Sequence, residues 1–253
     1  MTQESERGMG IMLNKTLAAP LVALALVTVG LAGCTTYDTA GARPAGQDPA
    51  VTEETVDDTT QDDAVGDVVP LAVVESAVGA TEDQDWYWYA VVVDNPNPDH
   101  IFPDATFTIE AIAADGTILA SDSHWKVLLS GQTALVGWFT DIGDEQIAHL
   151  DVIGPEPSEA VHSPAGETGY VSFDDLEVVE DEWYVTVSGT VTSEFSDDQE
   201  YVEVAVIGRD ATGAIVAAEY GYVDRVPAGG SARFSVDVWD APAGLEYEVF
   251  ASY

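Results

Sequence analysis

Trp183-Tyr184-Val185-Thr186-Val187-Ser188-Gly189-Thr190-Val191 is the most regular stretch of the chain. In an extended strand successive side chains point to opposite faces. The stretch therefore describes a strand with Trp183, Val185, Val187 and Val191 turned to a core, and Tyr184, Thr186, Ser188 and Thr190 turned to water. Its opening occurs twice: Asp85-Trp86-Tyr87 matches Glu182-Trp183-Tyr184 at an offset of 97. Downstream, Asp115-Gly116-Thr117-Ile118 matches Thr212-Gly213-Ala214-Ile215, and Ser130-Gly131 matches Ala228-Gly229. These anchors mark one unit used twice.

Each copy divides into seven short strand-like runs bounded by turn residues. In the first copy they lie near 68–78, 86–94, 105–113, 117–121, 125–129, 133–140 and 147–153. In the second they lie near 171–179, 183–191, 201–209, 214–220, 222–226, 231–239 and 246–253. Gly116 and Gly213 fall between apolar runs, where a tight hairpin needs a positive φ. No stretch beyond residue 34 carries helical periodicity. The expected fold is all-β, with two tandem immunoglobulin- or fibronectin-III-like sandwiches, 68–153 and 170–253, joined by a proline-containing linker, 154–169. The second copy resembles the FxLYD family through Val202, Ile207, Asp210, Gly213, Ile215-Val216, Val226, Gly229 and Phe234. The first copy matches through Asp115-Gly116, Ile118-Leu119, Gly131 and Val136. That resemblance implies immunoglobulin-like modules of secreted and lipid-anchored proteins, with no shared catalytic residues.

The copies differ in one respect. In the second, Arg233, Ser235 and Asp237 give Phe234 and Val236 a polar reverse side. In the first, the offset places Trp86, Trp88, Ala90 and Val92 inward, yet Tyr87, Tyr89, Val91 and Val93 on the other side are apolar too. Leu135, Gly137 and Phe139 likewise flank Val136 and Trp138. A face of this kind exceeds what a free surface usually carries. Tyr87, Tyr89, Val91, Leu135 and Phe139 are thus a candidate interaction surface. The second copy, the segment 140–150 or a partner protein would cover it, unless the register is displaced by a bulge.

Residues 13–34 set the address. Lys15 precedes an uncharged apolar run, Leu17 to Leu31, that ends in Leu31-Ala32-Gly33-Cys34. A basic start, an apolar middle and small residues before the cut describe a signal peptide over 1–33. An uncleaved membrane-spanning helix is the alternative. The ending resembles the lipobox of bacterial lipoproteins. The resemblance implies cleavage before Cys34, diacylglycerol attached to its sulfur, and anchoring at the outer face of the cell membrane. Residues 34–67 hold many acids and few apolar groups, which describes a disordered tether reaching roughly 30–36 Å on average.

The chain carries 46 acidic and 7 basic residues, a net charge of -39, so phosphate backbones are repelled and no nucleic-acid partner is expected. The excess runs through tether and both copies, as a solubility device or a saline adaptation. Asp94, Asn97 and Asp99 form a weak candidate for calcium, lacking the glycine and terminal glutamate of an EF-hand loop; a proline turn explains them as well. His100, His124, His149 and His162 show no metal or catalytic spacing and read as surface residues. No phosphate loop or nucleophile motif occurs. The expected function is therefore non-catalytic: an envelope protein that contacts another protein or an envelope polymer. A cation- or small-ligand-binding lipoprotein is the alternative.

Overall fold

The computed structural model describes residues 68–81, 86–143, 145–164 and 168–253. The signal segment, Cys34 and the acidic tether lie outside them. The described chain is built from strands: β1 (Ala72–Ala80), β2 (Trp86–Asn95), β3 (His100–Ala113), β4 (Ile118–Leu128), β5 (Gly131–Thr140), β6 (Ile147–Ile153) and the two-residue β7 (Val161–His162), then β8 (Val171–Glu180), β9 (Tyr184–Ser193), β10 (Gln199–Arg209), β11 (Ile215–Val226), β12 (Ser231–Trp239) and β13 (Glu246–Ser252). All pairings are antiparallel, in sheets ordered β1-β2-β5, β4-β3-β6, β11-β10-β13 and β12-β9-β8, with β7 beside β3. The all-β expectation holds.

Each repeat has six main strands where seven are expected. The runs 117–121 and 125–129 are one strand, β4, because Ser121 to His124 keep pairing with β3 instead of turning. The runs 214–220 and 222–226 likewise join through Gly221 into β11. The hairpins fall where the sequence places them, with Gly116 at φ 89° and Gly213 at φ 85°. In the second hairpin the Asp210 carboxylate accepts from the backbone N–H of Thr212 and Ala214.

Three apolar cores lie between four sheets. The first, between β1-β2-β5 and β4-β3-β6, contains Tyr89, Val91, Phe107, Ile109, Leu135 and Phe139. The second, between β12-β9-β8 and β11-β10-β13, contains Val185, Val187, Val191, Val204, Phe234 and Val236. A third core joins the repeats: Ala90, Val92, Ala134 and Val136 pack on Ala205, Ile207, Ile215 and Ala218. Sheets β1-β2-β5 and β11-β10-β13 are thus apolar on both sides, while β9 and β12 keep the alternation of a sheet with one face in water.

The faces of β2 and β5 are the reverse of those the sequence offset assigns. Tyr89, Val91, Leu135 and Phe139 point into the first core. Trp88, Ala90, Val92 and Val136 turn toward the second repeat. β2 begins at Trp86 and β9 at Tyr184, so these strands are offset by 98 positions and not by the 97 of the Trp-Tyr anchors. A one-residue slip exchanges the two faces of a strand. The second repeat covers the additional apolar face, one of the three coverings the sequence allows.

Candidate binding cleft

The third core is made mostly of alanine and valine, with Ile207 and Ile215. At one end alanine and valine give way to Trp138 on β5 and to Tyr220 and Tyr222 on β11. The sheets part there around a cleft of about 440 Å³. Trp86 of β2 joins that wall, and the edge strand β4 closes the side with Asp122, His124 and Lys126. By alternation those three share the face of the buried Leu128, whereas Trp125 stands at the rim, 79% exposed.

Two polar groups form the floor. Lys126 Nζ lies 2.6 Å from Glu203 Oε2, and both side chains are buried. Glu203 also accepts from the hydroxyls of Tyr222 at 3.1 Å and Ser252 at 3.2 Å, so the carboxylate is partnered on both oxygens. Burial and the Glu203 charge push the Tyr222 hydroxyl up to about 12. The second group centres on Tyr89, whose ring is in the first core and stacks on Phe139 with centroids 4.6 Å apart. Its hydroxyl donates to Asp122 Oδ2 at 2.6 Å and meets His124 Nε2 at 2.5 Å. Gly137 pairs with Tyr89 across β2 and β5, and a Cβ there would come within 2.5 Å of Tyr89 Cζ. The missing side chain lets the ring cross the strand and deliver its hydroxyl to β4.

Around this floor Trp138 Nε1–H donates to Glu219 Oε1 at 3.3 Å. Further contacts fix one repeat on the other: Val127 N–H to the Tyr253 carbonyl at 2.8 Å, Thr133 hydroxyl to the Ala251 carbonyl at 2.9 Å, and Arg209 to Glu75, with Glu248 of the second repeat holding the same guanidinium. The carboxyl of Glu219 is raised above its ordinary value by burial, against the opposing hydrogen bonds from Tyr220 N–H and Trp138.

His124 is held below its ordinary value of 6.5, first by burial and then by the Lys126 charge, with Asp122 and Glu203 pulling the other way. The unfolded chain therefore takes up a proton before the folded one does. The stability tied to a neutral His124 is present above pH 6.5 and is lost as pH falls through the folded value. The urea midpoint should drop between pH 7.5 and 5.5, and in His124→Gln that part of the drop should be missing. An unchanged pH dependence in the variant would separate His124 from the effect.

The sequence-derived site residues end elsewhere. Tyr89, Val91, Leu135 and Phe139 are 0–2% exposed inside the first repeat and Tyr87 packs against that core, so these residues do not form an interaction surface. Asn97 is buried and spent on the backbone: its Oδ1 accepts from Val69 N–H and its amide donates to the Val69 carbonyl and to Asn95 Oδ1. It ties the start of β1 to the β2–β3 turn rather than facing a cation with Asp94 and Asp99. Among the described residues no three His, Cys, Asp or Glu side chains come together. His124, read from sequence as a surface residue, lines the cleft. No sequence pattern marks Lys126 and Glu203 as partners, since they belong to different repeats.

No protein-family model and no curated protein matches the chain. Among solved structures, red sea bream transglutaminase aligns at 11% identity and TM-score 0.27, over 73% of this chain and 29% of that one. A glycoside hydrolase family 2 β-glucuronidase aligns at 11% identity and TM-score 0.22, over 68% of this chain and 23% of that one. The C-terminal globular domain of an oligosaccharyltransferase from Pyrococcus abyssi aligns at 11% identity and TM-score 0.14, over 72% of this chain and 47% of that one. This chain spans less than half the length of each.

Proposed function

We propose that this chain is a non-catalytic envelope protein, held at the outer face of the membrane by diacylglycerol on Cys34, whose folded part binds an envelope component. The lipobox resemblance of Leu31-Ala32-Gly33-Cys34 supports the address, and the FxLYD-like pattern of the second repeat is in keeping with it. The observation that carries the binding function is the cleft between the repeats, where exposed aromatic rings surround a polar floor. Concave sites of mixed aromatic and polar lining are where proteins hold ligands. The floor argues for holding rather than transforming. Tyr89, Asp122 and His124 satisfy one another, and burial and Asp122 raise the Tyr89 hydroxyl far above its ordinary value, which keeps it a donor to Asp122.

Two measurements test this. Cys34→Ala should move the protein from the membrane fraction to the soluble fraction and remove labelling by a fatty-acid probe; retention in the membrane would overturn the anchor. A photo-crosslinking residue at Tyr222 should capture an envelope component in intact cells, whereas one at Trp239, on the sheet farthest from the cleft, should not. Equal capture at both positions, or none at Tyr222, would remove the cleft from the function.

A further inference from the structure

We infer that the cleft is a saccharide site, taking an uncharged polyhydroxylated chain whose sugar rings lie against Trp86 and Tyr222. This rests on the reading of the cleft as the binding surface and names the ligand class.

The aromatic groups supply the first argument. Trp86 is 52% exposed and Tyr222 is 59% exposed, although both stand over a floor of buried residues. Each is propped by an edge-to-face neighbour: Trp86 by Trp138 with centroids 6.2 Å apart, Tyr222 by Tyr220 at 5.8 Å. Edge-to-face packing fixes ring orientation without covering both faces of the outer ring. Two oriented, wet aromatic surfaces on opposite walls suit a ligand with flat apolar faces and polar edges, and the C–H face of a pyranose ring has that form. Burying such faces supplies apolar contact area, while the hydroxyls around the ring edge still need partners.

Partners are present in both senses. Lys126 Nζ has three donors, of which Glu203 takes one, and the Ser123 hydroxyl lies on the exposed side of the cleft. Asp122 offers carboxylate oxygens oriented by the Tyr89 hydroxyl and the Ser123 N–H, while Glu203, partnered on both oxygens, holds Lys126 in place. These groups are buried or strand-held before any ligand arrives, so little ordering is needed on binding.

Charge narrows the ligand class. Lys126 neutralises Glu203 locally and leaves Asp122 as the lining carboxylate without a lysine or arginine partner among the described residues, so an organic cation is the competing ligand and the cationic glycans of the test address it. An anionic polymer would be repelled by a chain of net charge -39. A neutral polyol uses the donors and acceptors together and is indifferent to the overall charge.

The test uses the full chain on an array of neutral, anionic and cationic glycans, followed by tryptophan-fluorescence titration with the neutral glycan retained best. Neutral glycans should bind, and Trp86→Ala or Tyr222→Ala should each raise Kd at least tenfold. The exposed Trp183, in the turn leading into β9, should tolerate alanine with unchanged Kd. Thermal transitions of the Trp86 and Trp183 variants should stay at the wild-type position, since each side chain is more than half exposed, whereas Tyr222→Ala also loses the hydrogen bond to Glu203 and should melt lower while remaining folded. Binding confined to anionic or cationic glycans, no binding to any neutral glycan, or equal binding by the cleft variants overturns the inference. If the array stays empty while crosslinking at Tyr222 still captures a protein, the cleft keeps its role and only the saccharide is wrong.

Discussion

Lys126→Met is expected to cost about 3–5 kcal/mol of unfolding free energy, measured by urea denaturation at pH 7. The reason is the condition in which it leaves Glu203. That carboxylate is 5% exposed and hydrogen-bonded to Tyr222 and Ser252, but Lys126 is its only ion-pair partner among the described residues. With the ammonium gone, a charge sits between two sheets without compensation. The pair as a whole is worth much less than that cost suggests, because taking both ions out of water opposes their attraction. Lys126→Met combined with Glu203→Gln should therefore recover most of the loss, since the amide oxygen can accept from one of the two hydroxyls while the NH2 donates to the oxygen of the other. A single variant within 1 kcal/mol of wild type, or a double variant no better than the single, would show that the floor of the cleft is wetter than its burial implies.

Tyr89→Ala should be destabilising by about 3–5 kcal/mol, the range for removing a large buried aromatic ring. Tyr89 is fully buried, stacks on Phe139, and gives β2 its only side-chain hydrogen bonds to Asp122 and His124 on β4 among the described contacts. Tyr89→Phe separates ring from hydroxyl. It should cost about 1–3 kcal/mol, the penalty for leaving polar groups without their partner. Gly137→Ala approaches the same contact from the other side, forcing a Cβ into the ring, and overpacking of that kind costs about 1–3 kcal/mol. The combination Tyr89→Ala with Gly137→Ala should be less destabilising than the two separate losses added together, because the small residue makes room for the methyl. Additive losses would mean that Tyr89 and Gly137 do not share the contact.

Much of the fold was legible in sequence because strand alternation and turn glycines are local. The bounds of β2, β5, β6, β9, β12 and β13 fall within a few residues of the runs read from the sequence, and Gly116 and Gly213 occupy the hairpins expected of them. Which face of β2 lies inward was not legible. Both faces are apolar, so the pattern carries no sign, and the Trp-Tyr anchors that should have supplied it are displaced by one position between the strands. The cleft was hidden for a different reason. Asp122-Ser123-His124 has the composition of a turn, and only pairing with β3 reveals a strand whose polar side faces the second repeat. Lys126 and Glu203 meet through the stacking of sheets, and no spacing within either strand records that. One signal was available: a glycine, Gly137, set between Leu135 and Phe139, where a bulky residue would be the ordinary choice.

The alanine-and-valine layer between the repeats also bears on how such a chain can change over time. The outer sheet of the second repeat still has the threonine and serine reverse face of a module able to stand alone, while the two middle sheets have exchanged theirs for apolar contact. That exchange acts as a ratchet. Once Ala90, Val92, Ala205 and Ile207 have lost their tolerance of water, neither half can be deleted or shuffled into another protein without uncovering a sticky surface. The two halves therefore hold together as one unit, in which a polar substitution at the joining layer costs more than one at the rim.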